Sequence, residues 1–215
     1  MRLYYSVEED TYTSQSYIDI PINKGTDYVS FFNQISTKNS NEYLQQLTNQ
    51  EEGLSSNLSE NKSFIQSGIG VATTVKFPTI KSLFDIEGTG TILDATLKIN
   101  PVLQSYNDNL SLRDTLNVYA IDNNNNITQQ LTYSDGSAVQ AILNKTDQEF
   151  NNIYYALPFG TYVEELLNSQ TDDIQAFALL PNNYQSSVDR MVIYGNTNTS
   201  YKIELNLIYT VYDED

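Results

Sequence analysis

The chain contains no His, no Cys and no Trp. Without His or Cys there is no Ser-His-Asp triad, no thiolate nucleophile, no disulfide and no ordinary zinc site. Basic residues are scarce as well: 11 Lys and Arg stand against 27 Asp and Glu, for a net charge of −16 over 215 residues. With a pI near 4.1, the chain lacks the basic face that tracks nucleic-acid phosphates. No apolar run reaches the roughly 18 residues of a membrane-spanning helix, and no basic stretch followed by an apolar one opens the chain as a signal peptide would. The absence of Cys fits an oxidising and a reducing compartment equally.

What remains is a chain with enough apolar residues, 40%, to build a core. It is rich in Tyr, with 17, and in Asn, with 24. Asn favours turns, whereas Tyr and β-branched residues favour strands. The longest periodic segment is Tyr201 to Tyr212, where Tyr201, Ile203, Leu205, Leu207, Tyr209 and Val211 alternate with mostly polar residues. That period of two predicts a long half-buried antiparallel strand. Thr91–Pro101 repeats it, with Leu93, Ala95, Leu97 and Ile99 on one face. Shorter strands are expected at Leu116–Ile121, Ile127–Tyr133, Ile153–Pro158, Ile174–Pro181 and Met191–Tyr194, and at Val71–Phe77, ended by Pro78.

Helical signals are few. Thr161–Asn168 carries Val163, Leu166 and Leu167 at helical spacing, Lys81–Asp85 suits a single turn, and Ser40–Gln50 places Tyr43, Leu44 and Leu47 on one helix face. Residues 51–63 read as a polar linker. They divide an N-terminal segment, 1–63, from a β-sandwich domain, 64–215, although the two could form one structural domain. The opening Leu3-Tyr4-Tyr5-Ser6-Val7 matches Leu207-Ile208-Tyr209-Thr210-Val211 in pattern, and both run into acidic residues. This predicts a strand at residues 1–7, and a chain that opens inside a strand reads as truncated at its N-terminus.

Only carboxylates, Lys and Tyr are left for acid–base chemistry. Glu164-Glu165 and Asp172-Asp173 are the obvious pairs. Adjacent helical residues point about 100° apart, so Glu164 and Glu165 cannot both face one substrate, and both pairs read as solvated surface. No catalytic residue and no cofactor is expected. Asp122, Asn124 and Asn126 could offer oxygens to Ca2+, but the Asp-Asn run lacks the spacing of a calcium loop and reads first as a turn between strands. Tyr154, Tyr184 and Tyr194 are candidates for stacking on a sugar ring.

The segment Phe64-Ile-Gln-Ser-Gly-Ile-Gly-Val-Ala-Thr-Thr-Val-Lys-Phe-Pro78 resembles the opening of a family of Bacteroidetes cell-envelope lipoproteins, domain of unknown function 4270. The likeness continues through Ile92–Ile99 with Ala95 and Leu97, through Leu116-Asn-Val-Tyr119, and through Arg190-Met-Val-Ile-Tyr-Gly195 to Leu205–Thr210. It covers roughly residues 64–212 and extends to 1–35. Each motif is a short strand signature, so order and spacing carry the likeness. A similar strand order occurs in jelly-roll modules attached to polysaccharide-degrading enzymes. The resemblance implies an all-β fold, an antiparallel two-sheet β-sandwich of jelly-roll type with one or two short helices. It also implies an exported protein at the outer membrane, cell surface or periplasm, held by a lipid anchor upstream of this chain, and it supplies no catalytic residue. The expected function is therefore non-enzymatic, with a glycan or an envelope protein as partner. The alternatives are a structural subunit pairing through strand edges and a carboxylate-based glycan hydrolase.

Overall fold

A computed structural model describes residues 2–9, 12–19, 41–86, 89–168 and 176–212. The chain separates into two compact units, Met1–Ser36 and Thr37–Asp215. Residues 41–63, read above with the N-terminal segment, thus share the second unit.

In the first unit, β1 (Arg2–Glu9) pairs antiparallel with β2 (Tyr12–Asp19). Cross-strand side chains pair along this ribbon. Arg2 Nε donates to Asp19 Oδ1 at 2.7 Å, and its guanidinium lies 4.1 Å from the centre of the Tyr17 ring. Leu3, Tyr5 and Ile18, on the other face, are exposed.

The second unit contains β3 (Lys62–Gln66), β4 (Thr73–Lys76), β5 (Thr89–Ile99), β6 (Thr115–Ile121), β7 (Ile127–Gln130) and β8 (Gln140–Asp147). These are followed by β9 (Asn152–Pro158), α1 (Gly160–Asn168), β10 (Ala176–Pro181), β11 (Arg190–Tyr194) and β12 (Glu204–Tyr212). One curled sheet runs β12-β5-β9-β8-β6-β10-β4, with β7 beside β6, and β11 pairs with β3 in a separate ribbon. Every strand pairing is antiparallel. The expected all-β, sandwich-like fold with few short helices is the fold the chain adopts, with unequal layers. Ile65, Met191 and Ile193 of the ribbon join Leu97, Ile99, Leu116, Val118 and Leu179 of the sheet in one core. Past the end of β5 the chain bonds to β11, with Tyr194 N–H donating to the Asn100 carbonyl at 3.0 Å and Val102 N–H to the Val192 carbonyl at 2.8 Å. Ribbon and sheet are thereby tied at one end.

α1 forms where expected. Tyr162, Val163 and Leu166 are buried while Glu164 and Glu165 are exposed, the one-sided pattern of a surface helix. The turn near 81–85 is a 3-10 helix, Ile80–Asp85. The helix expected over 40–50 does not form: within 41–50 there is one 3-10 turn, Leu44–Gln46. Asn41 Oδ1 takes the Leu44 N–H at 2.8 Å, and Asn49 Oδ1 takes the Glu52 N–H at 2.9 Å. Such side-chain bonds compete with the helical ladder. Likewise β12 begins at Glu204 rather than Tyr201, because Asn198 Oδ1 accepts the N–H groups of Ser200 and Tyr201 and folds them into a turn.

A β-bulge rephases the strand expected at Thr91–Pro101. Against β12 the register slips, so that Ile208 faces Asp94 while Tyr209 faces Ile92. Leu93 is the unpaired extra residue and is 61% exposed, whereas Ala95, Leu97 and Ile99 stay in the core. One inserted residue moves the following side chains to the opposite face.

Candidate functional site

β3 and β4 leave the same turn as a hairpin and then part. Gln66 and Val71 still exchange main-chain hydrogen bonds, at 2.8 and 3.2 Å. At Thr73 the pairing stops: its Oγ1 donates to the Phe64 carbonyl at 3.2 Å and lies 2.9 Å from Ser63 Oγ. The hydroxyl sits where a continued hairpin would place a main-chain N–H, so the strands diverge from that point. Among the described residues β4 then has a single strand neighbour, β10, and β3 a single one, β11.

Between and around β3 and β4 lies an open cleft of about 1230 Å3. All four β4 residues line it, together with Lys62, Ser63 and Phe64 of β3. Leu97 and Leu205 contribute apolar floor, and Tyr184 stands on the wall. Glu52 is the one carboxylate among its lining residues, which also include two lysines, Lys62 and Lys76. Lys62 is already paired with Glu60 at 2.7 Å.

The far wall is the segment 44–56, held in place by the Asp-Asn loop between β6 and β7. Asp122 Oδ1 accepts the N–H groups of Asn124 and Asn126 at 2.9 and 2.8 Å, and Oδ2 accepts Asn126 Nδ2 at 2.9 Å. Asn125 takes a left-handed conformation, φ 59°, one that Asn tolerates. The loop then clasps the wall: Gln50 Nε2 donates to Asn126 Oδ1 at 2.8 Å, and Asn125 Nδ2 donates to the carbonyls of Gln50 and Glu51 at 2.8 and 3.1 Å. The hydrogen bonds from Asn126 hold the Asp122 carboxyl below its ordinary pKa. The three residues considered for Ca2+ therefore form a turn in which the Asp122 carboxylate is engaged within the loop and Asn126 Oδ1 on Gln50. Among the described residues no group of three or more carboxylates is placed to hold a metal ion.

The three Tyr candidates are dispersed. Only Tyr184 lines the cleft; its ring meets Tyr119 edge-on at 5.7 Å, and its carbonyl accepts the Gly68 N–H at 2.7 Å. Tyr154 lies on a sheet face, with Lys98 Nζ 4.5 Å from its ring centre and its hydroxyl accepting Asn144 Nδ2 at 3.1 Å. Tyr194 stacks on Tyr201 at 5.3 Å and 17°, so one of its faces is already covered. Glu164 and Glu165 are exposed on α1, and Asp172 and Asp173 lie outside the described residues.

Sequence reading missed the cleft and also the ion pair beside its hinge. Arg113 donates to Asp189 Oδ1 at 2.6 Å, which raises the guanidinium pKa further. The Asp189 carbonyl accepts the N–H of Ser67, at the start of the β3–β4 turn, at 2.9 Å. The pair spans 76 residues, and no local pattern announces it. No family model, no curated protein and no solved structure matches the chain.

Proposed function

We propose that the chain is a non-enzymatic protein of the cell envelope that binds a surface ligand in the cleft between β3 and β4. The observation that carries this reading is the cleft itself. Its volume, about 1230 Å3, exceeds the roughly 300–1,000 Å3 of a small-molecule pocket and suits a length of polymer. Its chemistry favours holding over cutting: hydrolysis of a glycosidic bond by the usual route takes two carboxyls across the substrate, and this lining offers Glu52 alone. The envelope setting, the upstream lipid anchor and the glycan option rest on the resemblance to the lipoprotein family. For a glycan, Tyr184 is the stacking platform among the three candidates. Parallel glycan and peptide arrays probed with the full chain test the reading. Binding that falls at least tenfold on replacing both Phe64 and Tyr184 with Ala supports it, whereas no binding on either array removes it.

A further inference from the structure

We propose that the cleft accepts one extended polypeptide strand from a protein partner, which pairs its main chain with the free edge of β4. The inference rests on the cleft being the binding site and names the class of its occupant.

Three observations lead there. First, no main-chain hydrogen bond joins Thr73–Lys76 to anything on the side away from β10, among the described residues. An open strand edge is a template for another strand. Second, that edge is sheltered. Segment 44–56 lines the cleft beside it, clasped by Asn125 and Asn126, and β3 stands across the gap with its main chain already engaged: the Lys62 N–H and carbonyl bond to Ser59, and the Phe64 carbonyl accepts the Thr73 hydroxyl. The two strands part at that hydroxyl, leaving a wedge whose open strand edge is that of β4. Third, the side chains give the wedge a preference. Along β4, Thr73 and Val75 are buried while Thr74 and Lys76 are exposed, so a guest strand would meet an apolar row on one face and a polar row on the other. Strand addition uses this division: main-chain bonds supply affinity, and alternate side chains supply selection. Lys62 is neutralised by Glu60, whereas Lys76 makes no ion pair among the described residues, so Lys76 is the cationic group left to meet a guest. An acidic residue at the end of the guest strand would meet that charge.

The probe is a synthetic peptide alternating Val and Ser with Asp at both ends, labelled for fluorescence anisotropy with the full chain. Saturable binding is expected. It should vanish when alternate peptide nitrogens are methylated, because methylation removes main-chain donors and leaves the side chains. Amide exchange at Thr73–Lys76 should slow on binding, which no side-chain-only mode would produce. Lys76→Glu should weaken the Asp-ended peptide about tenfold and favour a Lys-ended one. Peptide binding that survives methylation, or that leaves Thr73–Lys76 exchange unchanged, overturns the inference. If the peptide fails and a glycan binds the same cleft, the inference falls while the binding reading stands; if neither binds, both fall. Concentration-dependent self-association of the chain that protects the same amides would assign the slot to a second copy and overturn the assignment to a separate partner.

Discussion

The curled sheet ends in two edges of opposite design. β12 is nine residues long and, among the described residues, has no strand on its outer side, yet its register breaks at Ile208 and Tyr209, where Leu93 bulges from β5. The bulge lies in β5, and the twist it adds to the pair makes the neighbouring β12 a poorer template. β4 is four residues long and regular, and it lies in a walled cleft instead of on open surface. A long edge is blunted while a short one is kept straight and sheltered. The difference supports placing the proposed binding surface at β4, where, among the described residues, a regular edge lies beside a cleft rather than on open surface.

The β4 end stands on an aromatic cluster. Phe177, paired with Val75 of β4, meets Phe159 edge-on at 5.0 Å, and Phe77 and Tyr162 complete the group. Phe177→Ala should produce the largest effect, a loss of about 3–5 kcal/mol in denaturant unfolding, because a buried ring is replaced by a cavity. Amide protection at β4 should fall before that at β12.

The β12 end depends on a glycine. A Cβ on Gly90 would overlap the Tyr209 ring, which lies across it. Gly90→Ala should therefore destabilise by about 1–3 kcal/mol, through the overpacking cost of a displaced ring. Combining it with Tyr209→Ala should cost less than the sum of the two single changes, since the clash is then gone. Loss of protection confined to β12 and β5, with peptide binding unchanged, would sharpen the contrast between the edges. Loss at β4 as well would break it.

How much of this could be read in advance follows from how local each cause is. The alternation in 204–212 and the spacing of Val163, Leu166 and Leu167 are local, and strand and helix formed there. The bulge at Leu93 was illegible because both Leu93 and Ile92 are apolar, so either phase satisfied the pattern. The helix expected at 40–50 had correct spacing, but Asn41 and Asn49 drew the backbone into turns. The cleft was illegible for a different reason: it arises from one hydroxyl at Thr73 and from a clasp between Gln50 and Asn126, 76 residues apart. The Asp-Asn run was noticed as a possible ligand loop, and its placement as a wall anchor required the tertiary fold.

Tyr155, on β9, provides a reference inside the sheet, away from both edge strands. Its hydroxyl donates to the Arg113 carbonyl at 2.6 Å, and burial, helped by the charge of Asp114, pushes the phenol pKa up from its ordinary value. A phenol with a raised folded-state pKa keeps its proton in the native state after the unfolded chain has lost it. Its contribution is fully present below about pH 10 and declines as pH rises beyond that. Tyr155→Phe should cost about 1 kcal/mol at neutral pH and flatten the alkaline decline, leaving the order of protection between β4 and β12 unchanged. Unfolding measured from pH 7 to 11 in both proteins checks this.

The smallest effect should come from Asp122, and it separates the edges by pH. Its carboxyl pKa is lowered by the hydrogen bonds from Asn126 and then from Asn124. For a carboxylate with a depressed folded-state pKa, the contribution is present above the unfolded value of about 4 and is lost as pH falls through the lower folded value. The loop it organises bonds to Gln50 and Glu51 on the cleft wall, and among the described residues no hydrogen bond joins it to β12. Acidification below about pH 4 should therefore release the Asn126 N–H and loosen segment 44–56 while β12 keeps its protection. Asp122→Asn should reproduce that loosening at neutral pH, since an amide offers one acceptor where the carboxylate offers two. Protection factors for Asn126 and for Leu207 on β12, followed against pH in both proteins, read the two ends independently. Equal losses at the two positions would mean that the shelter of β4 is not held by this loop.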